Sequence, residues 1–270
     1  MSHHVSSLKA QFYLTAPQPC AYLDGREERK MFAALNGETA VLVNNSLSQK
    51  GFRRSQSVIY RPACAGCSAC MSIRIPVDVF RPARTQKRIL RRNAHLARRT
   101  CEAWATEMQF ALFRKYLIHR HADGGMSDMD AFDYASMIDE TPVNSMVVEY
   151  LERTPGGEMR LVAACLSDIL SDGLSMIYSF FDPEEEGRSL GSYMILDHID
   201  MAREMSLEHV YLGYWVSGSR KMDYKIAFRP FELCVGSHWR RFNSRDEVDF
   251  RARRRLRPTR ARIPDPFEHR

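Results

Sequence analysis

The chain has 270 residues, 44% hydrophobic and 27% charged, with a formal net charge of +6. That is enough apolar material for a buried core in one or two globular domains, and it excludes a disordered chain. No apolar run approaches the length of a membrane span, and the first twenty residues lack the basic flank and apolar stretch of a signal peptide, so a cytoplasmic location is expected. Seven cysteines, an odd number with three packed into CAGCSAC at 64–70, argue against a disulfide framework and for a reducing compartment.

Residues 1–80 carry short strand-like runs at 11–15, 57–61 and 72–80, broken by prolines and glycines around the cysteine cluster, and read as a small loop-rich module. Cys64, Cys67 and Cys70 have ligand-type spacing, and Cys20 is available as a fourth thiolate. Zinc or an iron–sulfur cluster therefore stands beside reduced structural thiols as a reading. Residues 81–100 form a basic connection, in which 81–99 hold eight Lys/Arg and no acid. On a continuous helix, Arg84, Arg88, Arg91, His95 and Arg98 share one face, while Leu90, Ala94, Ala97, Cys101 and Trp104 share another. With Arg92 beside it, the basic face suits the phosphates of a nucleic acid, although a basic run also suits plain solvent. A second helix is expected over 108–121, where Phe110, Phe113, Tyr116 and Leu117 recur at helical spacing, and a third over 127–140.

From residue 143 the apolar period changes to two. Segments 143–153 and 158–168 flank the turn TPGG and read as an antiparallel hairpin, and a second turn at 171–173 leads to an aromatic-rich strand over 174–181. An acidic loop (182–187), a helix (189–205), a strand (209–216), a short helix (219–225) and a final strand (231–237) follow. The layout is α+β with a mixed sheet, and its parallel pair is the expected place for a cleft. Residues 251–270, with eight arginines against Asp265 and Glu268, read as a flexible basic tail. The expected domains are thus 1–80, 81–100, 101–250 and 251–270.

The pattern Arg188-x-x-Gly191-x-Tyr193 stands between strand and helix, where backbone N–H groups bind an anion. A glycine near a helix start is also an ordinary turn residue. The pattern resembles the phosphate-binding turn of the GNAT acyltransferase fold, with Tyr193 where that turn has a small residue. Arg188, Leu190, Gly191, Ser192 and Tyr193 are accordingly the expected donor-binding residues. A wider set resembles the aminoacyl-tRNA–protein transferases: KGFRRS at 50–55, YRPAC at 60–64, Cys67, Cys70, Arg74, Asp168 through Tyr178, Asp182-Pro183, YLGY at 211–214 and KMDYK at 221–225 to Pro230. The chain length, the CxxCxxC form and YLIHRHADGGM at 116–126 resemble the bacterial branch, the aspartate/glutamate leucyltransferases.

This resemblance implies a GNAT-like C-terminal domain behind a small cysteine-containing module. It further implies transfer of leucine from leucyl-tRNA to the N-terminal α-amine of proteins beginning with Asp or Glu, which marks them for degradation. Eukaryotic relatives carry a metal or cluster on cysteines of this module, usually with two adjacent cysteines that are absent here.

The residues suit that task on their own chemistry. A charged tRNA needs a basic track, for which Arg84, Arg88, Arg91 and Arg92 are candidates, and an acceptor carboxylate calls for bidentate arginines, for which Arg53, Arg54, Arg61 and Arg74 are candidates. A free α-amine titrates at roughly 7.7–8.0 and an aminoacyl ester is reactive, so no cofactor is needed beyond the tRNA and little is asked of a general base. Holding amine and ester together contributes on the order of 7–11 kcal/mol. Amides at the end of the 178–181 strand can stabilise the oxyanion, and Tyr178, Asp168 and Lys225 are the polar residues expected near the cleft. Two other readings stay open: an acetyl-CoA-dependent N-acetyltransferase, which shares the fold and the anion turn, and a non-catalytic RNA-binding protein.

Overall fold

The computed structural model describes residues 10–120 and 129–248. The N-terminal module contains strands β1 (Tyr13–Leu14), β2 (Gln18–Pro19), β3 (Glu27–Glu28) and β4 (Lys30–Ala34), helix α1 (Ala40–Ser48), and strands β5 (Arg53–Ser55) and β6 (Val58–Pro62). Its antiparallel sheet runs β1-β4-β6-β5, with β2 and β3 as a separate ribbon. Helix α1 closes a small core by setting Val43 and Leu47 against Ala33, Phe52 and Ile59. The loop-rich reading omits α1 and β4.

Strand β7 (Cys70–Pro76) is followed by α2 (Arg84–Arg92), β8 (Ala97–Glu102), α3 (Glu107–Arg120) and α4 (Ala131–Asp139). Next come β9 (Ser145–Arg153), β10 (Met159–Ile169), β11 (Gly173–Phe181), α5 (Leu190–Glu204), β12 (His209–Val216), β13 (Phe231–Val235) and β14 (His238–Phe242). The large sheet has the order β14-β13-β7-β12-β11-β10-β9-β8. Its neighbours are antiparallel except β11 and β12, which run parallel because α5 carries the chain across. The mixed α+β architecture is therefore present, and β7 leaves the N-terminal module to lie between β12 and β13.

Both faces of the sheet are covered. Helix α5 packs Met194, Ile195 and Ile199 with Val162 and Cys165 of β10 on one face. Helices α3 and α4 pack Phe113, Leu117 and Met137 with Leu161, Ala164 and Leu166 on the other, the alternation of β10 supplying both sets. Helix α4 starts at a capping box, in which the Asp130 carboxylate accepts from the Phe132 and Asp133 amides.

One expected element differs. The basic helix stops at Arg92 instead of continuing to residue 101. Asn93 is fully buried there, donating from Nδ2 to the Ile89 and Arg188 carbonyls at 3.0 Å each. Residues 97–102 instead pair antiparallel with β9 as the edge strand β8. Their alternation satisfies a strand as well as a helix, and the open edge of β9 decides between them.

Candidate active-site cleft

Strands β11 and β12 pair only at Gly173–His209, Leu174–Val210 and Ser175–Tyr211, although both continue further. Beyond that point a cleft of about 730 Å³ opens at the carboxyl end of the parallel pair, where ligand sites in such sheets form. The side chain of Arg53, from β5, enters between the two strands. Its Nη2 donates to the Ile177 carbonyl at 2.5 Å. Its Nη1 lies where a side chain on residue 213 would be, since a Cβ on Gly213 would meet it at 1.5 Å. Gly213 has φ of +73° and sits where the register of β12 against β7 shifts, so a bulge and a missing side chain together admit the guanidinium.

Beside Arg53 stand Tyr22, Tyr60, Tyr214 and Lys225. The Tyr60 and Tyr214 rings pack at 5.8 Å, and the Tyr214 hydroxyl donates toward the Tyr60 and Gly51 carbonyls at 2.8 and 3.1 Å. Lys225, in the 3-10 turn Arg220–Ala227, is buried and donates to the Tyr214 carbonyl at 2.7 Å. Burial, and after it the charge of Arg53, bring its pKa down to about 7. Among the described residues, neither Arg53 nor Lys225 forms an ion pair with a carboxylate. The apolar part of the lining comes from Met129, Met137, Leu166, Ile177 and Tyr178, which belong to one hydrophobic cluster. Burial pushes the Tyr178 hydroxyl pKa upward, so this phenol stays protonated at neutral pH.

Of the remaining expected site residues, Arg54 borders the cleft but is engaged internally, and Asp168, Arg61 and Arg74 lie outside the lining. Arg54 and Asp168 neutralise each other: both are buried, Nε and Nη2 reach the two carboxylate oxygens at 2.7 Å each, and Ser145 Oγ donates to the same carboxylate at 2.7 Å. Neither is free to meet a substrate, because adjacent residues of a strand point to opposite faces and Arg53 takes the open one. Arg74 is held by Glu232 at 2.9 Å and by the Tyr211 hydroxyl at 2.9 Å, and lies over the Trp239 ring at 4.3 Å. Arg61 lies over Phe52 at 5.1 Å and lines a second cavity of about 590 Å³, outside the cleft.

The turn before α5 also differs from its expected use. Arg188 donates to Glu152 at 2.7 Å, Glu185 at 3.1 Å and Asn93 Oδ1 at 3.1 Å. Burial raises the Glu152 pKa, but its hydrogen bonds from Arg160 and Arg188 outweigh this and hold it at about 2. Leu190 and Tyr193 are core residues, Tyr193 packing edge-on against Tyr150 at 5.4 Å. Gly191 faces Phe181, whose ring a Cβ would meet at 3.3 Å, so packing explains the glycine without a phosphate. Ser192 stays half-buried, and none of residues 188–193 lines the cleft.

Cys20, Cys64, Cys67 and Cys70 are free thiols sharing one neighbourhood, where burial and then the three neighbouring cysteines raise the Cys70 pKa to about 12. Among the described residues no three Cys, His, Asp or Glu stand in an arrangement that could hold a metal ion. The four thiols as placed do not fit zinc or a cluster.

On the basic helix, Arg84, Lys87, Arg88, Arg91 and Arg92 are all exposed. Arg92 donates to the Gly187 carbonyl, and Asn93 joins Arg188, so α2 flanks the turn that opens α5. Cleft residues that were not among the expected site residues include Tyr22, Tyr60, Met129, Met137, Tyr214 and Met222. Gly213 carried a legible signal, since a glycine inside a strand pattern marks a bulge or a close approach.

The family comparisons cover both parts of this arrangement. The model described as "Arginine-tRNA-protein transferase, N terminus" matches residues 18–88, which include Arg53. The model described as "Arginine-tRNA-protein transferase, C terminus" matches residues 108–235, which include both cleft strands and Lys225. The proteins named aspartate/glutamate leucyltransferase from Paracoccus denitrificans (strain Pd 1222) and Ruegeria pomeroyi (strain ATCC 700808 / DSM 15171 / DSS-3) are 59% and 58% identical to it. The first match covers 85% of this chain and 84% of that protein, the second 87% and 85%. The chain belongs to the arginine-tRNA–protein transferase family. Among solved structures, L-PGS from Bacillus licheniformis aligns with this family member at a TM-score of 0.46 and 10% identity, over 90% of this chain and 86% of that one. FemX aligns at a TM-score of 0.46 and 9% identity, over 73% and 67%. No helix among the described residues of the family member is long and apolar enough to cross a membrane.

Proposed function

We propose that this protein transfers leucine from leucyl-tRNA to the N-terminal α-amine of proteins beginning with Asp or Glu, which creates a degradation signal on them. The observation that carries the reading is the Arg53 guanidinium beside the Lys225 amine, neither of them ion-paired among the described residues, at the divergence of β11 and β12 in a chain whose relatives carry the leucyltransferase name. The unpaired guanidinium calls for an anion, and an N-terminal Asp or Glu brings a carboxylate next to the amine that must react.

With the carboxylate on the Arg53 guanidinium, the α-amine lies near the Lys225 end of the cleft. Lys225, about half neutral at pH 7, accepts a proton from the acceptor's ammonium. The freed amine adds to the ester carbonyl of the aminoacyl-tRNA, the C–O ester bond breaks, and the terminal ribose leaves as a hydroxyl by taking up a proton. The acceptor's own pKa of roughly 7.7–8.0 is close to that of Lys225, so this proton transfer is nearly balanced and alignment of the reactants supplies most of the rate. The exposed arginines of α2 make a track for the tRNA phosphates.

Arg53 also weighs against acetyl-CoA as donor. An extended thioester arm would pair with the strand edge exposed beyond Ser175, and there the Ile177 carbonyl is already taken by Arg53. Purified protein given leucyl-tRNA should leucylate Asp- and Glu-starting peptides and leave Asn-starting ones unmodified, as read by mass spectrometry. Transfer from acetyl-CoA, or tRNA binding without a new peptide bond, would replace this reading with one of the two alternatives.

A further inference from the structure

We propose that the apolar wall of the cleft seats the side chain of the transferred amino acid, with Met129 and Met137 setting which aminoacyl group is accepted. The inference rests on the transferase reading above and adds to it the residues that choose the donor.

The cleft is divided by chemistry. Met129 and Met137, at and on α4, pack with Leu166 of β10, Ile177 and Tyr178 of β11 into one apolar cluster. Arg53 and Lys225, outside that cluster, supply the basic part of the lining. The two side chains that must enter together differ in the same way, an isobutyl group on the donor and a carboxylate on the acceptor. Only one assignment lets each meet its own kind. The reverse would press a carboxylate against methionines and leave the Arg53 guanidinium uncompensated.

The composition of the apolar wall also states what it rejects. Asp133 is the acid among the cleft's lining residues, and its Oδ2 accepts from the Asp130 amide at 3.2 Å as part of the α4 cap, on the exposed side of the helix. A guanidinium seated among these apolar side chains would find no buried carboxylate among the described lining residues, so an arginyl donor is disfavoured by desolvation. Leu166 is 1% exposed and forms a fixed floor, whereas the methionines are flexible and decide the usable volume. The wall therefore discriminates by size among apolar groups, and loss of one methylene from the donor costs about tenfold or more.

One tRNA body charged separately with leucine, valine, phenylalanine and arginine tests this, in competition assays with Asp- and Asn-starting peptides. Wild-type protein should favour leucine over valine by about tenfold or more and reject arginine. Met137→Ala should shift the leucine-to-phenylalanine ratio toward phenylalanine by about tenfold, while the Asp-over-Asn ratio stays at its wild-type value. Met129→Ala, at a half-buried position that leaves the fold intact, should shift the donor ratio in the same direction and stands in if Met137→Ala does not fold. Wild-type donor ratios in Met129→Ala, or an acceptor ratio that moves together with the donor ratio, would overturn the inference while leaving the transferase reading in place. Wild-type protein that transfers from none of the four charged tRNAs would remove the transferase reading, and this inference with it.

Discussion

Arg53 and Arg54 are neighbours in one short strand with opposite fates. Arg54 is sealed against Asp168, and removing one partner of such a pair leaves a buried charge uncompensated. Arg54→Met should therefore lower the unfolding free energy by about 3–5 kcal/mol in urea denaturation, and a decrease below about 1 kcal/mol would show that the pair is not structural. That two arginines occur at 53 and 54 is legible from the sequence; which of them faces the cleft is not, because strand alternation fixes only that they differ. Lys225 presents a pH signature. Its pKa falls from an ordinary value near 10.5 to about 7, so the unfolded chain binds this proton more readily. Its burial consequently costs stability progressively as pH drops from 10.5 toward 7, and the cost is level below that. For activity the sign is the same: neutral Lys225 predominates above about pH 7, and proton acceptance is lost as pH falls through that value. Lys225→Arg, charged at every working pH, should lower the plateau and erase the limb near 7 in a pH–rate profile, leaving the acceptor amine's limb at roughly 7.7–8.0. A profile that keeps the lower limb would remove Lys225 from the reaction.

Among the elements, α2 makes the most specific claim. Its arginines at 84, 88 and 91 are exposed and form no ion pair among the described residues, so reversing them should leave folding unchanged. Each phosphate that an arginine no longer neutralises flattens the slope of log affinity against log salt by about 0.7–0.9, so the triple reversal should reduce the slope for tRNA by about 2–3. An unchanged slope would mean that this face meets only solvent. The helix was legible as a basic segment, but its end was not. Asn93 stops it by bonding to Arg188, far along the chain, and residues 97–102 become a strand because β9 offers an unpaired edge. The turn at 188–193 was legible as a helix start, whereas the carboxylates that occupy Arg188 come from β9 and from the preceding acidic loop. Local pattern shows where a turn lies, and distant packing decides what it binds.

At the scale of the whole molecule, the cleft exists because two parts of the chain share it. Tyr22, Arg53 and Tyr60 come from the N-terminal module, and Tyr178, Tyr214 and Lys225 from the large sheet and the turn that follows β12. Strand β7 runs from one part into the other and lies between β12 and β13. The meander β9-β10-β11 and the crossover through α5 were readable because their contacts are local in sequence. The insertion of β7 was not, since nothing in CMSIRIP names its partners. The strand alignment that brings Arg53 to Gly213 follows from that insertion, and the account depends on it. Its most direct test is leucyl transfer by Arg53→Gln to Asp- and Asn-starting peptides, with tRNA affinity measured in parallel. The preference for Asp over Asn should fall by about a hundredfold, through a raised KM for the Asp peptide at unchanged tRNA affinity, because a charged bidentate partner has been replaced by a neutral one. Retention of the wild-type Asp-over-Asn ratio in Arg53→Gln would contradict the assignment of the cleft.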